Sequence, residues 1–240
     1  MTESQAAEPA VLEHPGLLKV MIRLMKLRVI VLLQITAICA ILVHDTLARY
    51  DVILLDRSWT DTLGTIALTV VGGTLSAGGS NAINMWYDAD IDPHMRRTMN
   101  RPVPQGHATP RFALIFGTAI ALIGSSLFLL VSVKAAFWSL FSVLFYVFVY
   151  SIWLKRRTPQ NIVIGGIAGA TPPLIGWAAA AGDSIAGGSM LDLGSPIPWV
   201  FFFLIFLWTP PHFWALALYR SGEYGKCNIP LSLLPLCLCR

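Results

Sequence analysis

Three aspartates, Asp88, Asp90 and Asp92, fall within five residues at the end of an apolar run. Asn84, Asp88 and Asp92 are spaced four apart, so on a helix they form one stripe drifting by about 40° per step. Pro93 disfavours helical geometry at Asp92, so the helix is expected to stop or loosen there. Carboxylates this close repel one another, and ordering them at a membrane boundary is unfavourable unless a cation neutralises them. Hard oxygen ligands at this spacing suit Mg²⁺, which keeps waters and bridges to substrate phosphates. The next stretch, Arg96-Arg97-Thr98-Met99-Asn100-Arg101-Pro102, offers guanidinium forks suited to phosphate oxygens. A solvated charged loop is the alternative, but it would not require carboxylates that start inside an apolar segment.

The elements that must hold these residues are membrane helices. Of 240 residues, 55% are hydrophobic and 12% charged, with a mean hydropathy of +0.66. A soluble domain carries about twice that charge, so the apolar excess must face lipid. The expected fold is all-α, a polytopic membrane helix bundle. Apolar runs place about six spans: Val29–Leu47, Leu63–Tyr87, Phe112–Val133, Ala135–Leu154, Asn161–Ala181 and Trp199–Leu218. Glycines crowd the second and fifth, which lets backbones approach closely and puts both inside the bundle. Two proline pairs, Pro172-Pro173 and Pro210-Pro211, are expected to break the fifth and sixth spans, as is tolerated around a cavity.

Lys and Arg concentrate in alternate connections. Lys19, Arg23, Lys26 and Arg28 precede the first span, and Arg96, Arg97, Arg101 and Arg111 follow the second. Lys155, Arg156 and Arg157 follow the fourth; the intervening connections carry only Arg49, Arg57 and Lys134. The positive-inside rule therefore puts the N-terminus and the aspartates on the cytoplasmic side. The net charge of +4 then reflects topology, and nucleic-acid binding is not expected. Glu3, Glu8 and Glu13 make the first residues a cytosolic tail and argue against a signal or transit peptide. Cys39, Cys227, Cys237 and Cys239 are too scattered for a disulfide framework.

Asn84-x3-Asp88-x3-Asp92 resembles the first aspartate-rich motif of the UbiA-type intramembrane prenyltransferases. Within that superfamily, four stretches resemble the protoheme IX farnesyltransferase (heme O synthase) family. They are Asn84–Asp92, Arg97–Pro102, Asn161–Trp177 and Trp208–Leu218. Lys26-Leu-Arg28 resembles a Lys-Pro-Arg element of the family, with Leu27 in place of proline. The resemblance implies transfer of the farnesyl group of farnesyl diphosphate to a vinyl group of heme B, with Mg²⁺ as cofactor. It implies the bacterial inner membrane as location, and heme A synthase or a terminal oxidase as assembly partners.

Carried onto this chain, the resemblance assigns Asn84, Asp88 and Asp92 to Mg²⁺–diphosphate binding, with Asp90 as an accessory ligand. Arg97 and Arg101 are candidates for direct diphosphate contact, and Lys155 for a contribution at a cytoplasmic helix end. His212, beside Pro210-Pro211, is a candidate for heme contact or axial ligation, with a hydrogen bond to a neighbouring helix as the plain alternative. Aromatic faces at Phe145, Tyr146 and Tyr150 can stabilise an allylic cation, or simply pack.

The family's second acidic motif follows the sixth span. Here Glu223 replaces the usual aspartate as a metal contact, with Arg220 and Lys226 alongside. After Pro230 the pattern is lost, whereas the family continues with further membrane helices. The expected organisation is a cytosolic N-terminal tail (1–23), an incomplete prenyltransferase membrane domain (24–226) and a divergent tail (227–240). A truncated chain of this kind is expected to have little activity by itself. The rival readings are a UbiA-type enzyme acting on a quinone precursor, a transporter, and a non-catalytic assembly partner.

Overall fold

Capping residues set where the helices begin. Ser58 and Asp61 form a reciprocal capping box at the start of a 29-residue helix, Trp59–Tyr87. Thr109 caps Pro110–Leu127, with proline in the first turn where its missing N–H costs nothing. The computed structural model describes residues 15–50, 52–53, 55–96, 98–158, 160–185 and 187–224. In the last helix, side chains are described only as far as His212 and at Ala215.

The elements are α1 (Leu17–Met25), α2 (Leu27–Arg49), α3 (Trp59–Tyr87), α4 (Pro110–Leu127), α5 (Val133–Leu144), α6 (Asn161–Ala170), α7 (Pro172–Ala181) and α8 (Ile197–Tyr224). A π-helix, Phe145–Leu154, continues α5 without a break. Among the described residues, five helical segments are long and apolar enough to cross a bilayer: Leu27–Arg49, Trp59–Tyr87, Pro110–Leu130, Val133–Leu154 and Asn161–Ala181. The sixth expected span is the apolar helix that begins at Ile197. No strand occurs among the described residues. Exposed Leu32, Ile115, Leu122, Phe148 and Leu204 give the bundle the apolar exterior that lipid requires.

The glycine-rich spans are interior, as expected. A Cβ on Gly79 would press into Gly117 O and Ala121, and one on Gly124 would lie 2.6 Å from Gly72 O. The α3 and α4 backbones therefore touch, and only glycine permits it. Every residue of α7 is buried. A Cβ on Gly176 would collide with the Ala37 carbonyl of α2.

Two expectations from proline come out differently. Thr171 separates α6 from α7, because Pro172 cannot supply the N–H that would continue the ladder. By contrast, α8 runs uninterrupted through Pro210 and Pro211. A proline pair loses ladder bonds without necessarily ending a helix whose surroundings favour it.

Nor is the region before the first span merely a tail. Residues 17–25 form the amphipathic helix α1, whose Val20 and Leu24 pack with Ala82, Met85, Val103 and Ala113. Asn81 Nδ2 fastens it by donating to Met25 O at 2.9 Å.

The opposite end of the bundle is tied by a buried ionic cluster. Asp45 accepts from Thr62 Oγ1 (2.6 Å) and meets Arg57 Nε (2.9 Å) and His44 Nδ1 (2.8 Å). There too, Lys134 and the indoles of Trp138, Trp177 and Trp199 donate to carbonyls of the 187–193 loop.

Candidate active site

Helix α3 ends at Tyr87, before the position that Pro93 alone would set, and Asp88 is its C-cap. The four-residue spacing nevertheless survives. Asp88 N–H donates to Asn84 O (3.0 Å) and Asp92 N–H donates to Asp88 O (2.9 Å). Asp92 opens a single 3-10 turn, Asp92–His94, and Thr98 Oγ1 donates to Asp92 O at 2.8 Å. Asn84, Asp88 and Asp92 are all buried.

Each buried carboxylate meets a cation from elsewhere. Lys155, just past the π-helix, donates to Asp88 Oδ2. Arg101 Nη1 reaches both oxygens of Asp92, at 2.8 and 2.7 Å. Asp90 points the other way: its side chain is 62% exposed and accepts from Arg156. Arg156 also donates to Tyr87 O at 2.8 Å, with its guanidinium over the Tyr87 ring. The Arg156 hydrogen bonds hold Asp90 below the ordinary carboxylate range. Burial raises Asp92 against the pull of Arg101.

Asn84 links this centre to two further elements. Its Nδ2 donates to Ser151 Oγ in the π-helix (3.1 Å), and its Oδ1 accepts from Lys26 Nζ (3.4 Å). Lys26 sits between α1 and α2 with φ 56°, a left-handed backbone that costs a non-glycine residue strain. Such outliers cluster at functional sites. Burial first, then the charges of Arg101 and Lys155, push the Lys26 ammonium down to about 7.

A cavity of about 710 Å³ adjoins the centre. Arg23, Lys26, Arg28 and Arg101 make one end of it cationic, and Val29, Leu33, Phe128, Val143 and Ile175 line its body. Tyr146 and Tyr150, stacked at 5.2 Å, project into it from the π-helix. Asn84, Asp88, Asp92 and Lys155 do not line the cavity. Lys26 and Arg101 connect them to it.

Asp88 Oδ1 is buried with no hydrogen-bond partner, which is an oxygen placed for a ligand. Among the described residues, no three His, Cys, Asp or Glu side chains gather closely enough to hold a metal. Asp88 and Asp92 supply only two carboxylates, a set that suits a hard cation only where bound phosphate and water complete its shell. Asp90, turned outward, is not gathered with them.

The other expected site residues divide. Arg97 and the side chains of Arg220 and Glu223 lie outside the described residues, as does the 227–240 tail. His212 is exposed, stacks on Trp208 at 4.4 Å and does not line the cavity, although Thr209 does. Phe145 packs against Phe141 away from the cavity wall. The pattern of aspartates and arginines did not single out Arg23, Asn81 or Ser151. Asn81 lies three residues before Asn84 on the same helix face, and that spacing was the available signal.

Residues 47–238 match the model of the UbiA prenyltransferase family. The chain is 53% identical over 158 residues to the protoheme IX farnesyltransferase of Parvibaculum lavamentivorans, covering 65% of this chain and 46% of that protein. It is 48% identical over 167 residues to that of Synechocystis, covering 69% and 50%. The chain thus spans about half the length of the curated relatives it matches. Among solved structures it resembles a digeranylgeranylglyceryl phosphate synthase, with TM-score 0.66, 18% identity and coverage of 90% of this chain and 67% of that one. A UbiA homolog from Aeropyrum pernix K1 superposes with TM-score 0.58 at 19% identity, covering 86% and 65%. These two likenesses concern the fold.

Proposed function

The chain belongs to the UbiA prenyltransferase family, and on that premise we propose that it transfers a farnesyl group from farnesyl diphosphate to one vinyl carbon of protoheme IX, diphosphate leaving, while water adds its hydroxyl to the other vinyl carbon and releases a proton, giving heme O. It is an integral membrane helix bundle. The observation that carries the reading is an apolar cavity whose cationic end abuts two buried, cation-paired carboxylates. The choice of protoheme rests on relatives named for that acceptor, 53% and 49% identical over the 158 and 169 residues they share with this chain.

The residues divide the work as follows. Arg101 and Lys26 bind the diphosphate oxygens and stabilise the charge that grows as the allylic C–O bond breaks. Asp92 and Asn84 hold those two cations in place. Asp88 and Asp92 would hold Mg²⁺, which supplies further positive charge to the leaving group when bound. Tyr146 and Tyr150 face the allylic cation, and the hydrocarbon wall excludes water from it. The cationic end carries basic residues of the segment before the first span and of the connection after the second, so it faces the cytoplasm of a bacterial inner membrane. Heme A synthase or a terminal oxidase is the assembly partner this reading expects.

Membranes containing the chain test the proposal when given Mg²⁺, farnesyl diphosphate and either protoheme or 4-hydroxybenzoate. Mass spectrometry should find protoheme enlarged by a farnesyl group and one hydroxyl. Farnesylated 4-hydroxybenzoate beside unchanged protoheme would favour the quinone-precursor reading. Binding of farnesyl diphosphate that ignores both Mg²⁺ and Arg101→Gln would reject the diphosphate site itself.

A further inference from the structure

The cationic end of the cavity holds more positive charge than the carboxylate centre engages. Arg101 is paired with Asp92, and Lys26 reaches Asn84. Arg23 and Arg28 also line the cavity, yet no carboxylate pairs with either among the described residues. Both side chains are exposed. They arrive from different helices, Arg23 from the last turn of α1 and Arg28 from the first turn of α2. The left-handed backbone at Lys26 turns the chain between them, so that both reach one cavity.

Two unpaired guanidiniums at the mouth of an apolar cavity suit a ligand with an apolar body and two anionic groups. A planar guanidinium binds carboxylate through a fork of two hydrogen bonds, so each arginine can hold one carboxylate. Protoheme IX is such a ligand: its macrocycle is apolar, and two propionates leave one edge.

We infer that Arg23 and Arg28 are the propionate anchors of the acceptor, separate from the cations that hold diphosphate. This inference rests on the protoheme reading of the site. Anchoring the propionates at the polar mouth keeps two charges out of hydrocarbon and fixes which way the ring enters. Vinyl groups, which carry no charge, are then the part of the ring free to lie against the apolar wall. The αL turn at Lys26 sets the two anchors relative to the diphosphate cations.

Binding rather than turnover tests this. The purified chain in detergent is titrated with protoheme IX and with its dimethyl ester, in which both propionates are uncharged, and the Soret band is followed. The chain should bind the free acid at least about tenfold more tightly than the ester. Arg23→Gln/Arg28→Gln should erase that preference while leaving the ester's affinity unchanged, and Arg23→Lys/Arg28→Lys should keep part of it. Arg111→Gln, which removes a charge away from the cavity, should leave it intact. A preference that survives the double Gln variant overturns the inference and leaves the protoheme reading standing. Failure to bind either form overturns both. A fall in Mg²⁺-dependent farnesyl diphosphate affinity equal to that of Arg101→Gln would give the two arginines to the diphosphate and overturn the inference.

Discussion

Lys155 and Asp88 are 67 residues apart in the chain, and the Lys155 ammonium donates directly to the Asp88 carboxylate. The pair depends on the π-helix between Phe145 and Leu154. In an α-helix, nine residues separate side chains by about 900°, which would put Tyr146 and Lys155 on opposite faces. An i→i+5 helix advances by roughly 82° per residue, so nine residues come within about 20° of two full turns. Tyr146 can then line the cavity while Lys155 meets Asp88 at its end.

Deleting Phe148, an exposed residue of that segment, should convert it to α-helical register. Eight residues would then separate Tyr146 from Lys155, about 800° in an α-helix, so Lys155 would turn off Asp88 by roughly 60°. Mg²⁺-dependent farnesyl diphosphate binding, followed by calorimetry, should weaken by about tenfold or more, the order of one charge-assisted hydrogen bond. Unchanged affinity would show that the π-register does not serve the site.

Lys155→Met strands a carboxylate that is 2% exposed. Breaking a buried pair from one side costs about 3–5 kcal/mol, so thermal unfolding in detergent should move clearly downward. Adding Asp88→Asn should restore most of that stability and none of the diphosphate affinity. Recovery of both would mean that the pair is purely structural.

The three aspartates should separate by role. Asp88→Asn and Asp92→Asn are expected to weaken Mg²⁺-dependent diphosphate binding by about 10- to 100-fold, as ligand losses do. Asp90→Ala should change it by less than about threefold, since Asp90 engages Arg156 on the exposed side. Equal losses at all three positions would restore the triple-carboxylate site that their spacing first suggests.

Lys26 gives binding a pH signature. Its ammonium is pushed down to about 7 in the free protein, so it is partly neutral at pH 8. A bound diphosphate favours the protonated form and raises that pKa. Binding at pH 8 should therefore take up a proton, and at pH 6, where Lys26 is already charged, that uptake should vanish. Calorimetry in buffers of different ionisation enthalpy reads the difference, and Lys26→Met should abolish it. Burial raises Asp92, whereas a bound cation lowers it, so Mg²⁺ affinity should fall with acid from a pH above the ordinary carboxylate range.

Gly176→Ala forces a Cβ against the Ala37 backbone, where no flexible side chain can yield. The α2–α7 contact must shift, at a cost of about 1–3 kcal/mol. Gly169→Ala, with nothing within 4 Å of its Cβ, should be nearly silent in the same thermal assay. Equal melting temperatures for the two variants would contradict the close packing of α2 and α7.

Much of the bundle was legible because a bilayer admits so few solutions. A run of about 20 apolar residues must be helical there, since every backbone polar group must be satisfied internally. Helix α1 was less visible: nine residues are too few for a hydropathy signal, and its burial depends on α3 and the 103–113 segment. The fate of the proline pairs was also undecided by sequence. Pro172 ends a helix and Pro210 does not, and the difference lies in the packing around each.

By itself the sequence determined the helical class, the interior position of the glycine-rich spans and the stripe of Asn84, Asp88 and Asp92. Each follows from local chemistry or from a periodicity that a few residues carry. Tertiary structure alone decided which cation meets which carboxylate, because Lys155 and Arg156 are neighbours in sequence yet pair with Asp88 and Asp90 on opposite sides. It also turned Asp90 outward and brought Arg23, Lys26, Arg28 and Arg101 to one end of a cavity. Such choices depend on the rotation of whole helices about their axes. That rotation is set by packing against neighbours far away in the chain, and no window of sequence contains it.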